Sequence, residues 1–293
     1  MSVRVNGGRR ASEPGTLVTG QWLHYSKREW IFLTGHFRAQ EWRFVPGSDG
    51  RIKNKTMHFD QPLIPGTLIE RHHRFLAEVR LEDGTVVTAH CPNSGRMTTC
   101  AEPGFRVLIS RAANPARRLA YTWELAHNGH CWIGINTGWP PKVAAEAITA
   151  GRIPELAGYA NLRAEVPYGS RRSRIDLLLT GGARPDAYVE VKSVTLVAAD
   201  GSWCFPDAVT ERGRKHLLEL MDVVRAGGRG VMLYVIQRAD GHFFRPAWEV
   251  DPEYANTLRQ AVRAGVEVLA WRAEVGPAGI ELAAAVSWRL SAP

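Results

Sequence analysis

Hydrophobic and polar positions along this chain follow one period first and another later. From Arg74 onward they alternate in short runs, at Arg74 to Leu81, Thr85 to Cys91, Phe105 to Arg111, Leu119 to Ala126 and His130 to Thr137. Period two is the mark of a half-buried strand. Glu82-Asp83-Gly84 supplies turn chemistry between the first two runs, and Asn128-Gly129 the pair favoured in a tight hairpin between the last two. Five short strands joined this way predict a small barrel. Among five-stranded barrels the pattern fits the OB-fold, whose loops and one face commonly hold nucleic acid or oligosaccharide.

After Gly138-Trp139-Pro140-Pro141 the period lengthens. Val143, Ala144, Ala147 and Ile148 mark a helix that Gly151 ends. Strands are expected at 162–166, 174–180, 188–197, 230–237 and 266–271. Helices are expected over 211–225 and from Pro252 to Ala264. Interleaved strands and helices predict a mixed α/β domain. The division is therefore a barrel over 57–139 and an α/β domain over 140–293, preceded by residues 1–56, with no internal repeat and no low-complexity segment.

Composition narrows the class. The 293 residues are 45% hydrophobic and 23% charged, which is globular usage and excludes disorder, collagen and coiled coil. No window approaches about 18 consecutive apolar residues, and Met1 to Gly20 carries arginines without an apolar core segment. A cytoplasmic protein is the expectation. None of the four cysteines forms a C-x-x-C pair, and the His90-Cys91 and His130-Cys131 doublets fit no zinc spacing.

The net charge of +8 is uneven: residues 1–56 hold ten Lys+Arg against four Asp+Glu. This leader carries Trp22, Trp30 and Trp42 but neither strand alternation nor a long capped helix. Two readings stay open for it, a basic nucleic-acid arm or a stretch translated ahead of a start at Met57.

The chemistry concentrates in Arg171-Arg172-Ser173-Arg174-Ile175-Asp176-Leu177-Leu178-Leu179, followed by Tyr188-Val189-Glu190-Val191-Lys192. Charged residues inside apolar strands need a reason, because an unpaired buried carboxylate is costly. If the two segments pair as an antiparallel hairpin, Asp176 and Glu190 meet at roughly 5 Å, and Lys192 shares the face of Glu190. Two carboxylates can complete the oxygen shell of Mg²⁺ or Mn²⁺, and a lysine beside them can steady developing negative charge. Phosphodiester hydrolysis fits these parts. Asp186 is expected in a loop: it stands four residues from Glu190, about 13 Å along an extended strand, too far to share an ion.

With these residues in view, the chain resembles the sugar fermentation stimulation protein A family, in which an N-terminal OB-fold precedes a domain with the PD-(D/E)XK nuclease fold. The matching stretches are "RFLAEVRLEDG", "AHCPNSGRM", "YTWEL", "GRIPELAGY", "YGSRRSRIDLLL", "YVEVKSVTL" and "FPDAVTERGRKHLLEL", spread from about Met57 to about Leu282. The resemblance implies DNA binding and maps the nuclease motif onto Asp176, Glu190 and Lys192. It also implies an acidic residue from the helix before the first strand, here Glu146, for which a solvated helix face is the alternative. Ile175 stands where the superfamily name has proline, and Ser193 where asparagine is expected after the lysine.

Other basic groups are candidates for nucleic acid. Arg171, Arg172 and Arg174 suit phosphates beside the scissile bond, with a solvated turn as the alternative. Lys215 and His216 lie in the first turns of a helix, where free backbone N–H groups favour anions. Arg117 and Arg118 precede Tyr121 and Trp123, an alternation found on single-strand stacking platforms and also around ordinary buried aromatics. The leading expectation is a DNA-binding protein with a Mg²⁺- or Mn²⁺-dependent nuclease-type site. The alternative is a non-cleaving DNA-binding regulator of sugar (maltose-type) utilisation genes, its acidic cluster a buried ion-pair network. An oligosaccharide module would use the barrel alone and leave the second domain unexplained.

Overall fold

The computed structural model describes residues 41–43, 57–59, 61–169 and 173–292, so most of the leader, including Trp22 and Trp30, and both Arg171 and Arg172 lie outside the described residues. Strands β1 (Glu41–Arg43) and β2 (Met57–His58) precede a barrel of β3 (Ile64–His72), β4 (Leu76–Leu81), β5 (Val86–His90), β6 (Arg106–Arg111) and β7 (Tyr121–His127), with β8 (Trp132–Gly134) added along β7. The strand order is β5-β4-β3-β6-β7, and parallel pairing of β5 with β7, Ala89 opposite Tyr121, closes the ring. This is the OB-like barrel that the alternation predicts.

Leu68, Ala77, Val79, Ala89, Val107, Ile109 and Trp123 fill its interior. Burying each large apolar side chain contributes about 1.5–3 kcal/mol. Both expected turns form: Asp83 Oδ1 accepts from Thr85 N at 2.9 Å with Gly84 at φ +85°, and Asn128 Oδ1 accepts from His130 N and Cys131 N at 3.0 Å with Gly129 at φ +92°.

The barrel departs from the sequence reading at two strands. Its first strand, β3, was not expected, because Ile64-Pro65-Gly66 opens with two strand-weakening residues. Glycine is required at position 66, since a Cβ there would lie 2.9 Å from Arg80 O. The run at 130–137 yields only β8, a three-residue arm outside the closed ring.

The chain continues through α1 (Trp139–Thr149), a 3₁₀ turn at Pro154–Leu156, β9 (Asn161–Tyr168), β10 (Ser173–Thr180), β11 (Ala187–Val194), β12 (Leu196–Val197), β13 (Trp203–Phe205), α2 (Glu211–Arg225), β14 (Arg229–Ile236), β15 (Phe244–Pro246), α3 (Pro252–Arg263), β16 (Glu267–Gly276) and β17 (Gly279–Ala285). An eight-stranded sheet runs β1-β9-β10-β11-β14-β16-β17-β2, antiparallel across β9, β10 and β11 and parallel across β11, β14 and β16. Strands β12, β13 and β15 form a small separate sheet.

Alternation along the strands sorts their side chains between two cores. Leu177, Leu179, Val189, Val191 and Leu233 pack with Val143, Ala147 and Ile148 of α1. Leu178, Val194, Met232 and Tyr234 pack with Leu217 and Leu220 of α2 and Leu258 of α3. The helix starts are tied together: Thr210 caps α2 by accepting from Gly213 N, while Asp251 caps α3 through Tyr254 N and also accepts from Thr210 N at 2.8 Å. Barrel and sheet meet where Gly134 N donates to Gln237 O at 2.9 Å and Met97 N donates to Asp207 Oδ2 at 2.9 Å. No helix among the described residues is long and apolar enough to cross a membrane.

Candidate functional site

Asp176 is positioned by an interruption in β10. Pairing with β9 skips from Ile175↔Val166 to Leu177↔Ala164, and the skipped partner, Glu165, sits in the left-handed region at φ +55°. Pairing with β11 begins only at Leu177↔Val189. Carried on, that register sets Asp176 across from Glu190, as the hairpin argument expects, but the carboxylate itself replaces the ladder bond there. Asp176 Oδ2 accepts from Val191 N at 2.7 Å. The strand rolls over at this point, since Ile175 joins the α2-side core while Leu177 joins the α1-side core.

Glu190 and Lys192 alternate with Val189 and Val191, so they face α2. Glu190 is 2% exposed. Its Oε1 is held by Lys192 Nζ at 2.5 Å and by His216 Nδ1 from α2. Arg212 Nε donates to His216 Nε2 at 3.4 Å, and His216 Nδ1 lies against Glu190 Oε1 and, at 3.2 Å, against Lys192 Nζ. The other oxygen, Glu190 Oε2, is buried and has no hydrogen-bond partner among the described residues. One oxygen is thus fixed and one is left over.

The two carboxylates titrate apart. Burial, reinforced by the charge of Glu190, pushes Asp176 up to about 7, whereas Lys192 and Val191 N pull the other way. Burial alone would raise Glu190, but Lys192 and His216 outweigh it and hold its carboxyl below the usual range. A half-buried, readily protonated Asp176 beside an ionised Glu190 is poised to exchange its proton for a cation.

Two further groups belong to this region and were not anticipated. Glu219 of α2 is 2% exposed, and neither carboxylate oxygen has a hydrogen-bond partner among the described residues. Tyr168 Oη, at the end of β9, is likewise buried and has no partner among the described residues. Burial and the negative charges of Glu190, Glu219 and Asp176 all raise the pKa of this phenol. Glu219 stands three residues after His216 on the same helix face, among buried Leu217, Leu220 and Met221. A charge within an apolar helical stripe was the available signal.

The remaining candidates are dispersed. Glu146 is half-buried on α1, whose apolar residues cover the sheet face opposite to Glu190. Arg174 is exposed and donates to Glu165 O at 3.2 Å. Lys215 is half-buried on α2 next to His216. Arg117 is held by Thr122 Oγ1 at 2.8 Å and Arg118 is exposed. Trp123 is fully buried with its Nε1 donating to Leu125 O, so it offers no stacking surface. Asp186 lies exposed in the link before β11. Among the described residues, the one trio of metal-ligating types with an atom each within 4.8 Å is Glu70, His72 and Glu78 on β3 and β4.

Comparison with known proteins covers both halves of the chain. Residues 69–135 match the SfsA N-terminal OB domain, and residues 138–279 match the sugar fermentation stimulation protein RE domain. A sugar fermentation stimulation protein homolog of Geobacter sulfurreducens is 58% identical over 226 residues, 77% of this chain and 96% of that protein. Its counterpart in Acidithiobacillus ferrooxidans is 54% identical over 224 residues, 76% of this chain and 96% of the relative. The solved structure of Pyrococcus furiosus SfsA in complex with Ca²⁺ superimposes with a TM-score of 0.72 at 26% identity, covering 80% of this chain and 99% of that one.

Proposed function

We propose, from the premise that this chain belongs to the sugar fermentation stimulation protein family, that it is a DNA-binding protein with a divalent-metal-dependent nuclease-type site that hydrolyses phosphodiester bonds. The observation that carries this reading is the split environment of Glu190, with Oε1 clamped by Lys192 and His216 while Oε2 stays buried and unpartnered beside Asp176. An oxygen kept dry without a donor is expensive, and a cation compensates it. Asp176 and Glu190 are the residues to hold Mg²⁺ or Mn²⁺, as all-oxygen donors suit such ions. Support also comes from the Ca²⁺ in the Pyrococcus furiosus relative. When bound, the ion supplies positive charge against the charge that develops on the phosphate and eases ionisation of the attacking water.

This chain's own groups do the rest. His216 fixes the carboxylate of Glu190, Lys192 brings its Nζ to the same oxygen, and Asp176 gives up its proton as the site loads. Arg174, with Arg171 and Arg172, grips the flanking phosphates. The barrel holds the strand, with Arg106 at 5.8 Å over the Trp132 ring as a basic-aromatic contact. Four free cysteines, three of them buried, suit a cytosolic protein.

A second reading, a non-cleaving regulator of sugar-utilisation genes, is favoured by one observation: the Lys192–Glu190–His216 chain is also what a structural ion-pair network looks like. Labelled linear, single-stranded and branched DNA, incubated with Mg²⁺, with Mn²⁺ and with EDTA, separates the two. Metal-dependent cutting that Asp176→Ala and Lys192→Ala abolish, with gel-shift affinity kept, supports the nuclease. Absence of cutting on every substrate, or full activity in Lys192→Ala, supports the regulator.

A further inference from the structure

The outer face of the barrel carries a row of side chains that the nuclease-type site does not use. Strand register lines them up: Val86 of β5 stands opposite Arg80 of β4, Arg80 opposite Thr67 of β3, Thr67 opposite Arg106 of β6, Arg106 opposite His127 of β7, and His127 opposite Trp132 of β8. Residues directly opposite share a face of the sheet. Their chain neighbours Leu68, Val79, Val107 and Ala126 fill the barrel interior, so the row points outward. Val86, Arg80, Thr67 and Arg106 are exposed. At about 4.8 Å per strand the row spans roughly 24 Å. It crosses the end of the barrel where β6 begins, whereas loop 112–120, with Arg117 and Arg118, lies at the other end, beyond Arg111.

A cavity of about 170 Å³ opens on this row, with Thr67, Arg80, Glu82, Arg106 and Trp132 in its wall. Trp132 is seated on the α1-side core, with His127 edge-on at 4.9 Å and the Arg106 guanidinium 5.8 Å from its ring centre. It is a fixed flat surface. Arg80 and Arg106 stand two strands apart, about 9.6 Å, with Thr67 between them. Neither has an ion-pair partner among the described residues, whereas Arg229 and Arg245, also on strands, are paired with Glu267 and Glu249. Burial, with the charges of Arg106 and His130, holds His127 below the usual histidine range, so at neutral pH it joins the row as an uncharged ring.

Two guanidiniums flanking a hydroxyl suit a phosphate, and a small cavity beside a tryptophan suits one flat ring. We propose that this row binds a nucleotide by its terminal phosphate monoester, with the phosphate on Arg80, Thr67 and Arg106, the base on Trp132, and Glu82 accepting from a sugar hydroxyl or a base amine. An internal phosphodiester carries one negative charge, but a terminal monoester carries about 1.5 to 2 at neutral pH and so balances both arginines. The nucleotide is either free or the end of a single strand. For the strand end the inference rests on the reading that the barrel holds a strand; neither metal nor cleavage enters it.

The test is fluorescence anisotropy on the full chain in EDTA, using a short oligothymidylate labelled at a central base and phosphorylated at its 5′ end, at its 3′ end or at neither. Calorimetric titration with thymidine 5′-monophosphate and with thymidine runs beside it. The expected result is a phosphorylated species binding at least about tenfold more tightly than its unphosphorylated counterpart. In Arg80→Gln and in Arg106→Gln this ratio should fall below about twofold. Arg225→Gln, which removes an exposed α2 charge paired with Asp222, should keep it. A preference for a phosphorylated end assigns the site to the strand, and a preference confined to the monophosphate assigns it to the free nucleotide. Equal binding with and without phosphate in both assays overturns the proposal, as does a ratio that survives both arginine substitutions or is lost equally in Arg225→Gln. Unchanged binding of the unphosphorylated strand then leaves the strand-holding reading intact, and failure to cut DNA leaves the nucleotide site intact.

Discussion

Two glutamates, buried to almost the same degree, mark the difference between the barrel and the α2 face of the large sheet. Glu124, 3% exposed at the barrel's edge, accepts from Ser110 Oγ at 2.6 Å on one oxygen and from Asn136 Nδ2 at 2.8 Å and Trp139 Nε1 at 2.7 Å on the other. Both of its oxygens are answered by a donor. Among the described residues, Glu190 has one oxygen answered twice and one not at all, and Glu219 has neither answered. The first arrangement joins barrel to helix α1; the second lowers stability and is worth keeping only if something else binds there.

The comparison can be broken most severely at Lys192. Lys192→Ala should cut metal-dependent DNA cleavage by at least about 10²–10³-fold, the scale of losing one charge-stabilising group, with DNA affinity changed less than about threefold in a gel shift. At Glu124 the effect should appear in stability instead. Glu124→Ala orphans three donors and should cost about 2–4 kcal/mol in urea unfolding, with the cleavage rate per folded molecule unchanged.

Asp176→Asn should act in the opposite direction. Asp176 has its pKa raised from 3.8 to about 7, so the folded state binds the proton more tightly than the unfolded one. Its contribution is complete below pH 4 and is lost as pH rises through 7. In EDTA, Asp176→Asn should therefore leave the melting temperature unchanged at pH 4 and raise stability by about 2 kcal/mol at pH 8, a figure reduced for a half-buried group. Smallest of all, Arg174→Gln should weaken DNA binding less than about tenfold and lower the salt-dependence slope by about one.

The parts of this molecule legible in its sequence are those where a local pattern and the tertiary structure agree. Val231 to Ile236 reads as a buried strand and is the centre of the sheet. Asp176, Glu190 and Lys192 stand out because charge interrupts apolar strands, and the fold brings them to one place. Strand β3 was hidden by Pro65 and Gly66, which packing against Val79 and Arg80 demands. Strand β17 reads Gly-Ile-Glu-Leu-Ala-Ala-Ala, weak in β propensity, and exists because β16 and β2 flank it. His216 was legible as a basic group near a helix start, but its partner is a carboxylate 26 residues earlier, a pairing no spacing rule supplies. Tyr168 and Glu219 share that difficulty, since their meaning is the absence of partners that only the folded chain reveals.

The central claim is that the unanswered oxygens of this face belong to a divalent cation. An anomalous difference map from a crystal soaked in Mn²⁺ tests it most directly. The account predicts a peak about 2.0–2.6 Å from a carboxylate oxygen of Asp176 and from Glu190 Oε2. A soaked crystal with no peak there, and with Glu190 Oε2 instead hydrogen-bonded to a protein donor, would contradict it.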